Sequence, residues 1–302
     1  MVHAVRTSTL DRLGPVEVAA VRRLVADAAV VDGASALNEA ALLALEHPGD
    51  GDVRHVLALP AEGDLMSGAD LRGYAQLERG RQSSTGQLVV HPDQRRQRIG
   101  TSLLEQLLVL APSRLQVWAV GDSTAARALA ARVGLVPVRE LLVMTRPLDD
   151  GLRVPQVPAG VTVRTFEPGR DEQAWLDVNA RAFASHPEQG AITAEDLALR
   201  MAEEWFDAGG FFLAERDEVL VGFHWTKQHA GRLGEVYVLG VDPAAGGRGL
   251  GGALLDTGLQ HLRARGNTEV ELYVEGDHAG AVALYTGRGF STASRDVMYA
   301  QP

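Results

Sequence analysis

LGVDPAAGGRGLGGALL, Leu239 to Leu255, sets an Asp-Pro step after a β-rich run and a glycine cluster before a helical apolar pattern. LVVHPDQRRQRIGTSLL, Leu88 to Leu104, has the same order. His91-Pro92 and Asp242-Pro243 lie 151 residues apart, and ALAARVGL (Ala128 to Leu135) echoes ALYTGRGF (Ala283 to Phe290) at an offset of 155. An offset of half the 302-residue chain means two copies of one domain, because solenoid repeats are only ~20–50 residues long. The boundary falls in PLDDGLRVPQVPAG, Pro147 to Gly160, whose prolines and glycines interrupt regular structure. We therefore expect domains at 1–147 and 161–302 with a linker at 148–160.

The patterning predicts the same elements in each copy. In the second, a strand at Val161–Phe166 and helices at Glu172–Ala184 and Glu195–Phe206 precede three short β-rich runs, FFLAER, VLVGFHWTKQH and EVYVLGV. A helix to about Arg265, a strand at Val270–Val274, a short helix and a last strand at Val297–Ala300 follow. The first copy predicts a helix at Val16–Val30, strands at Val53–Leu59, Arg72–Glu78 and Gln87–Val90, a helix at Ile99–Leu110 and a strand at Leu115–Val120. The fold class is α/β, with a mixed sheet in each domain.

Composition narrows the chemistry. A net charge of −10 and a pI near 5.4 disfavour nucleic acid and anionic membranes as partners. There is no cysteine, which excludes disulfides, thiolate metal sites and a cysteine acyl relay, and suits the cytoplasm. The start MVHAVRTSTLDRLG lacks the apolar stretch of a signal peptide, and no apolar run approaches a membrane span. Of the 29 basic residues only Lys227 is a lysine; on composition alone this reads as coding drift, and a site that wants a compact point charge where a planar fork would not fit is the functional alternative.

Glycines let several N–H groups converge, and a helix N-terminus behind them favours a pyrophosphate. Gly247-Arg248-Gly249-Leu250-Gly251-Gly252 matches a dinucleotide fingerprint literally, with Glu271 about 20 residues on. That reading fails: the first copy has RRQRIG instead, and consecutive strands without crossover helices precede the cluster. No Gly-Lys-Ser/Thr follows either, so it is not a P-loop.

Strand, x-Val-x-Pro, then Gln/Arg-x-x-Gly-x-Gly/Ala opening a helix resembles the acetyl-CoA loop of the GNAT superfamily of N-acetyltransferases. Ala281-Val-Ala-Leu-Tyr285-Thr-Gly-Arg-Gly289-Phe290 is similar to that superfamily's A-x-x-x-Y-x-x-x-G-F helix. The tandem arrangement with SHPEQG, GFHWTK, GEVYVLGVDP and LYVE resembles the two-domain mycothiol synthase family over essentially the whole chain. The resemblance implies tandem GNAT domains and acetyl transfer from acetyl-CoA to the cysteinyl amine of desacetylmycothiol, by a monomer without a metal.

Amine attack on a thioester needs a base for the ammonium and an acid for the leaving thiolate. Glu235 and Tyr285 belong to the second copy, and at the repeat offsets they fall on Ser84 and Ala130. Alone, Glu235 reads as a strand-end carboxylate and Tyr285 as a half-buried helix aromatic; their joint absence from the first copy points to function. The resemblance implies that Glu235 is the base and Tyr285 the acid, and that Glu39, Glu188, Lys227, Glu235 and Tyr273 contact the acceptor. For Glu39 a solvated helix face is the plain alternative.

For acetyl-CoA the resemblance implies Leu239, Gly240, Val241, Gly246, Gly247, Arg248, Gly249, Leu250, Gly251, Gly252 and His278. In the first copy it implies Leu88, Val89, Val90, Arg96, Gln97, Arg98, Ile99, Gly100 and Thr101. Backbone N–H groups at Leu239 to Val241 would polarise the thioester carbonyl. His186 of SHPEQG reads as structural. Three positions depart from the family pattern. Gly246 replaces Gln or Arg, His278 replaces Asn, and Arg98 replaces a glycine of the first loop. A tandem GNAT that acetylates an aminoglycoside or small amine, and a non-catalytic acyl-CoA sensor, are the competing readings. Calorimetry should find acetyl-CoA bound at the second copy and weakly or not at all at the first; two equally tight sites would contradict this.

Overall fold

A computed structural model describes residues 5–46, 52–62, 65, 70–184, 186–247 and 249–302, the side chains of 46, 187 and 188 apart. Two compact units emerge, Met1–Leu141 with Ser294–Pro302, and Leu142–Ala293.

The first copy runs β1 (Val5–Leu10), α1 (Pro15–Asp32), α2 (Glu39–Glu46), β2 (Asp52–Pro60), β3 (Gly73–Arg79), β4 (Ser83–Val90), α3 (Ile99–Leu110), β5 (Arg114–Ala119), α4 (Thr124–Arg132) and β6 (Val136–Pro147). The second opens with β7 (Thr162–Thr165), α5 (Glu172–Ala182), α6 (Pro187–Gly190), α7 (Ala194–Met201), β8 (Phe211–Arg216) and β9 (Val219–Gln228). It continues with β10 (Leu233–Val241), α8 (Leu250–Ala264), β11 (Glu269–Glu275), α9 (Ala279–Thr286) and β12 (Ser291–Ala300). Residues 148–161 form neither helix nor strand. Among the described residues no helix is long and apolar enough to cross a membrane.

The strand order is β1-β2-β3-β4-β5-β12 in the first unit and β6-β11-β10-β9-β8-β7 in the second. Each sheet is mixed: its meander is antiparallel, and one parallel pair, β4 with β5 or β10 with β11, is joined by a helical crossover. The closing strands are exchanged. Val297↔Ala119 to Ala300↔Gln116 pairs β12 with β5, so the final strand of the chain completes the first unit. Residues 142–147 of β6 belong to the second unit, where β6 neighbours β11. Sequence copies and compact units thus divide the chain differently at these two strands.

Both faces of each sheet are covered. In the first unit Val56 and Ala58 pack with Leu103 and Leu107 of α3, while Leu57 and Leu59 pack with Val21 and Leu24 of α1. That double burial explains the continuous apolar run in β2, where an exposed face would have imposed alternation. In the second unit Leu255, Leu259 and Leu262 of α8 meet Val236, Val270 and Leu272, and Trp175 and Val178 of α5 meet Phe211, Phe223 and Trp225 on the opposite face.

One predicted helix is shorter than expected. The pattern implied helix to Phe206, but α7 ends at Met201. Trp205 and Phe206 instead pack on Trp225 at centroid distances of 5.7 and 5.8 Å, a burial that a continued helix would not deliver.

The duplicated loop shows its backbone requirement. Gly247 and Gly249 have φ of 77° and 80°, and Arg96 and Arg98, 151 residues earlier, have φ of 65° and 66°. Both loops use two left-handed residues, which cost roughly 1–2 kcal/mol each for a side-chain-bearing residue. Arg98→Gly should stabilise the protein by about 0.5–1 kcal/mol after the entropic cost of glycine is subtracted, and Gly249→Ala should destabilise it by about 1 kcal/mol. Denaturant melts of the two variants check the opposite signs.

Candidate active site

The site in the second unit begins where two strands part. The β10–β11 ladder runs from Leu233↔Glu269 to Val236↔Leu272 and stops, although both strands continue. Beyond Val236 the β10 backbone therefore turns an unpaired edge toward the gap. A bulge lies at the same point: Val236 pairs with Thr226 and Val238 with Trp225, which makes Tyr237 the extra residue. The bulge reverses the alternation of faces. Val236 packs with α8, whereas Val238 packs with Trp175 and Phe223 on the other side. Leu239 and Val241 then return to the α8 face beside Leu250 and Leu254.

A cleft of about 380 Å³ opens there, lined by Leu239, Val241, the loop glycines, Leu250, His278 and Tyr285. Asp242 follows Val241 of that lining. One carboxylate oxygen accepts the Ala244 N–H at 2.9 Å, and the other accepts Arg181 Nε at 2.6 Å, a pairing that holds the Asp242 carboxyl below its usual range. Gly246 and Gly247 then lead to the α8 N-terminus, whose unpaired N–H groups and positive dipole end suit an anion. His278 begins α9, and its Nδ1 accepts the Ala281 N–H at 3.1 Å, so it serves as the helix cap that the family's asparagine would provide. His186 stacks on it, with ring centroids 6.5 Å apart. Tyr285, on α9, is buried, and desolvation pushes its phenol up to about 12.

Beside the splay, Lys227, Glu235 and Glu271 form a row across β9, β10 and β11, because Glu235 is the direct partner of both others. Glu235 is only 8% exposed. His229, just past β9, brings Nε2 to 2.7 Å from Glu235 Oε2 and 3.5 Å from Glu271 Oε1. The Glu235 hydrogen bond raises the imidazole above its ordinary range, against burial and Lys227. Burial, helped by the Glu235 charge, raises Glu271. The three ligand atoms lie within 4.8 Å of one another, close enough to bridge a cation, yet the imidazole between the carboxylates already accounts for their approach. Lys227 Nζ lies 4.2 Å from the Trp205 ring centroid and 5.1 Å from that of Tyr237, whose hydroxyl accepts Arg200 Nε at 3.0 Å.

Several expected site residues are thus brought together: Lys227 and Glu235 on adjacent strands, and Leu239, Val241, Gly246, Gly247, Gly249, Leu250, Gly251, His278 and Tyr285 around the cleft. Gly240 and Gly252 are buried neighbours of that lining. Tyr273 is 46% exposed and lies two residues beyond Glu271 on the same face of β11. Arg248 and the side chain of Glu188 lie outside the described residues, and Glu39 opens α2 in the first unit. His229 and the Tyr237 bulge were missed. His229 was visible only as the last letter of VLVGFHWTKQH, and nothing but strand register shows what it faces.

The first unit keeps the splay without counterparts of Glu235 and Tyr285. Its β4–β5 ladder also stops early, at Gly86↔Val117, but β3 and β4 pair without a bulge. Ser84 is bound to Ser113 Oγ at 2.8 Å, and Ala130 lies in the core. Leu88, Val89 and Val90 end β4, Arg96, Gln97 and Arg98 make the loop, and Ile99, Gly100 and Thr101 open α3. Arg95, which matches Gly246, pairs with Asp32 at 2.7 and 2.6 Å.

The sequence pattern described as the Acetyltransferase (GNAT) family matches residues 34–135 and 175–290. A protein named mycothiol acetyltransferase from Catenulispora acidiphila is 48% identical over 300 residues, covering 94% of this chain and 95% of its own. One of the same name from Thermobispora bispora is 50% identical over 286 residues, covering 93% and 94%. A GCN5-related N-acetyltransferase from Sphaerobacter thermophilus superposes with a TM-score of 0.70 at 28% identity, over 98% of this chain and 95% of that one. A tandem GNAT protein from the clavulanic acid biosynthesis pathway shares the fold with a TM-score of 0.74 at 20% identity, over 98% of both chains. With the family pattern present twice and relatives half identical from end to end, the chain belongs to the GNAT family of acetyltransferases, as a tandem-domain N-acetyltransferase grouped with the proteins named mycothiol acetyltransferase.

Proposed function

We propose that the second copy, 161–302, transfers acetyl from acetyl-CoA to the cysteinyl amine of desacetylmycothiol, giving mycothiol and CoA. The first copy, 1–147, joined through 148–160, is non-catalytic. The observation that carries this reading is the asymmetry of the copies: both have a splayed strand pair before a helix N-terminus, and only one adds Glu235, Tyr285 and the bulge. The names of the half-identical relatives support the choice of acceptor. We read the protein as a monomer of the cytoplasm, in keeping with its cysteine-free acidic composition.

In this mechanism the amine arrives as an ammonium and gives one proton to Glu235 through water. The free nitrogen attacks the thioester carbon, and the oxygen that becomes anionic meets β10 backbone N–H groups beyond the bulge. Collapse breaks the carbon–sulfur bond, and the thiolate needs a proton. A phenol near 12 does not surrender its proton outright to a thiol with a pKa of about 8.5. Tyr285 therefore donates while it takes the second proton from the positively charged nitrogen of the intermediate. The balance is one amide, one thiol and one proton released through Glu235. Lys227, Tyr273, Glu188 and Glu39 are the acceptor contacts in this reading, and loop backbone N–H groups hold the pyrophosphate.

Purified protein should release CoA with desacetylmycothiol in preference to a panel of aminoglycosides and simple amines. Glu235→Gln and Tyr285→Phe should each lower turnover by roughly 10²–10⁴-fold and leave acetyl-CoA affinity nearly unchanged. Unchanged rates would remove the role assignments, and preference for an acceptor without the cysteinyl group would favour the alternative acetyltransferase. Cofactor binding without CoA release from any amine would favour the sensor.

A further inference from the structure

We propose that His229 is a positioning residue, which holds one oxygen of Glu235 and, by losing its second proton, leaves the cluster with a net negative charge that draws the amine's proton to that carboxylate. The inference rests on Glu235 being the base.

The geometry assigns the hydrogen. An ionised carboxylate only accepts, so at 2.7 Å from Glu235 Oε2 the His229 Nε2 must donate, which leaves the other carboxylate oxygen for the water that meets the amine. The backbone that carries the imidazole is held in place, since the His229 main-chain N–H donates to Leu233 O at 3.0 Å across the hairpin. Its side chain is 33% exposed, which allows the second ring nitrogen to exchange a proton with water.

Lys227 from β9, Glu235 from β10 and Glu271 from β11 are the charged groups that act on the ring. With His229 as imidazolium, two positive and two negative charges balance. Loss of one proton to solvent leaves a net negative cluster, which attracts the proton of the incoming ammonium. Glu271 is the counter-charge that delays this loss, which agrees with the upward displacement of His229. The arrangement is confined to one copy. Continued into the hairpin, the β3–β4 register puts Arg81 in the place of His229, and the residues paired in place of Glu235 and Glu271 are Ser84 and Leu115.

The test is turnover against pH at saturating amine and acetyl-CoA for the full chain and for His229→Gln, His229→Ala, Glu271→Gln and Glu235→Gln, with NMR titration of the His229 imidazole. In the wild type the acid limb and the imidazole should share a midpoint above 6.5. His229→Gln, which keeps a donor but cannot ionise, should move the limb down by about one pH unit or more and retain most of the high-pH rate. His229→Ala should share the lowered limb and run about ten-fold below His229→Gln at every pH, and Glu271→Gln should move the limb down. The imidazole midpoint should also fall by about a unit in Glu235→Gln, a readout that does not depend on turnover. Superimposable limbs for wild type and His229→Gln, or an imidazole midpoint at or below 6.5, would overturn the inference. If Glu235→Gln keeps full turnover, the base assignment itself fails; if it is inactive while His229→Gln behaves as wild type, only the role of His229 fails.

Discussion

Two parallel strands that share a ladder for four residue pairs and then separate set the terms for everything around them. Backbone N–H and C=O groups need partners wherever water is scarce, so a splayed pair is tolerable only where solvent or a ligand reaches the gap. The gap between β10 and β11 is flanked by the starts of α8 and α9, which bring polar helix ends to an otherwise apolar cleft. The bulge at Tyr237 adds direction by changing which face Val238 and its neighbours present. Glu235 stands just before that change and Leu239 just after it, so in the proposed mechanism one strand carries both the base and the carbonyl-polarising edge.

The duplication is an internal control on that logic. Splay, loop and crossover helix survive in the first unit, which makes them properties of the fold. The bulge, the buried carboxylate and the helix tyrosine do not survive, which separates them from it. Arg96 and Arg98 retain left-handed backbone without glycine, so the loop conformation outlasts the residues best suited to it. Arg95 meanwhile spends its guanidinium on Asp32 and on the Val90 carbonyl. The first loop is built into its own domain more firmly than the second.

Much of the site could be read from the chain because its signals are local. A glycine loop after Asp-Pro and the Leu250-Leu254 spacing define the α8 entrance, and aligning the copies isolates Glu235 and Tyr285. The lone lysine was also a signal, and its surroundings give it a physical reason: Lys227 sits over two aromatic rings, opposite Glu235. Other features depend on pairing. No glycine or proline marks the bulge, which exists only as a one-residue mismatch between β9 and β10. His229 looks like an ordinary hairpin residue until the register puts Glu235 and Glu271 beside it. The early end of α7 follows from aromatic packing that the helical pattern of charges could not reveal. The exchanged closing strands escape any reading that cuts the chain at its linker, because the partner of β12 lies in the other copy and only pairing reveals it.

That exchange also fixes an order of events during synthesis. Residues 297–300 form the strand that completes the β5 edge of the first unit, and they are made only after β6 to β11. While the remainder of the chain is being translated, β5 must wait with its edge uncovered, a condition that invites wrong pairing. The first domain to emerge is therefore finished after the second, and its maturation is tied to the arrival of β12. A chain cut short anywhere in β12 would spoil the domain farthest from the cut in sequence.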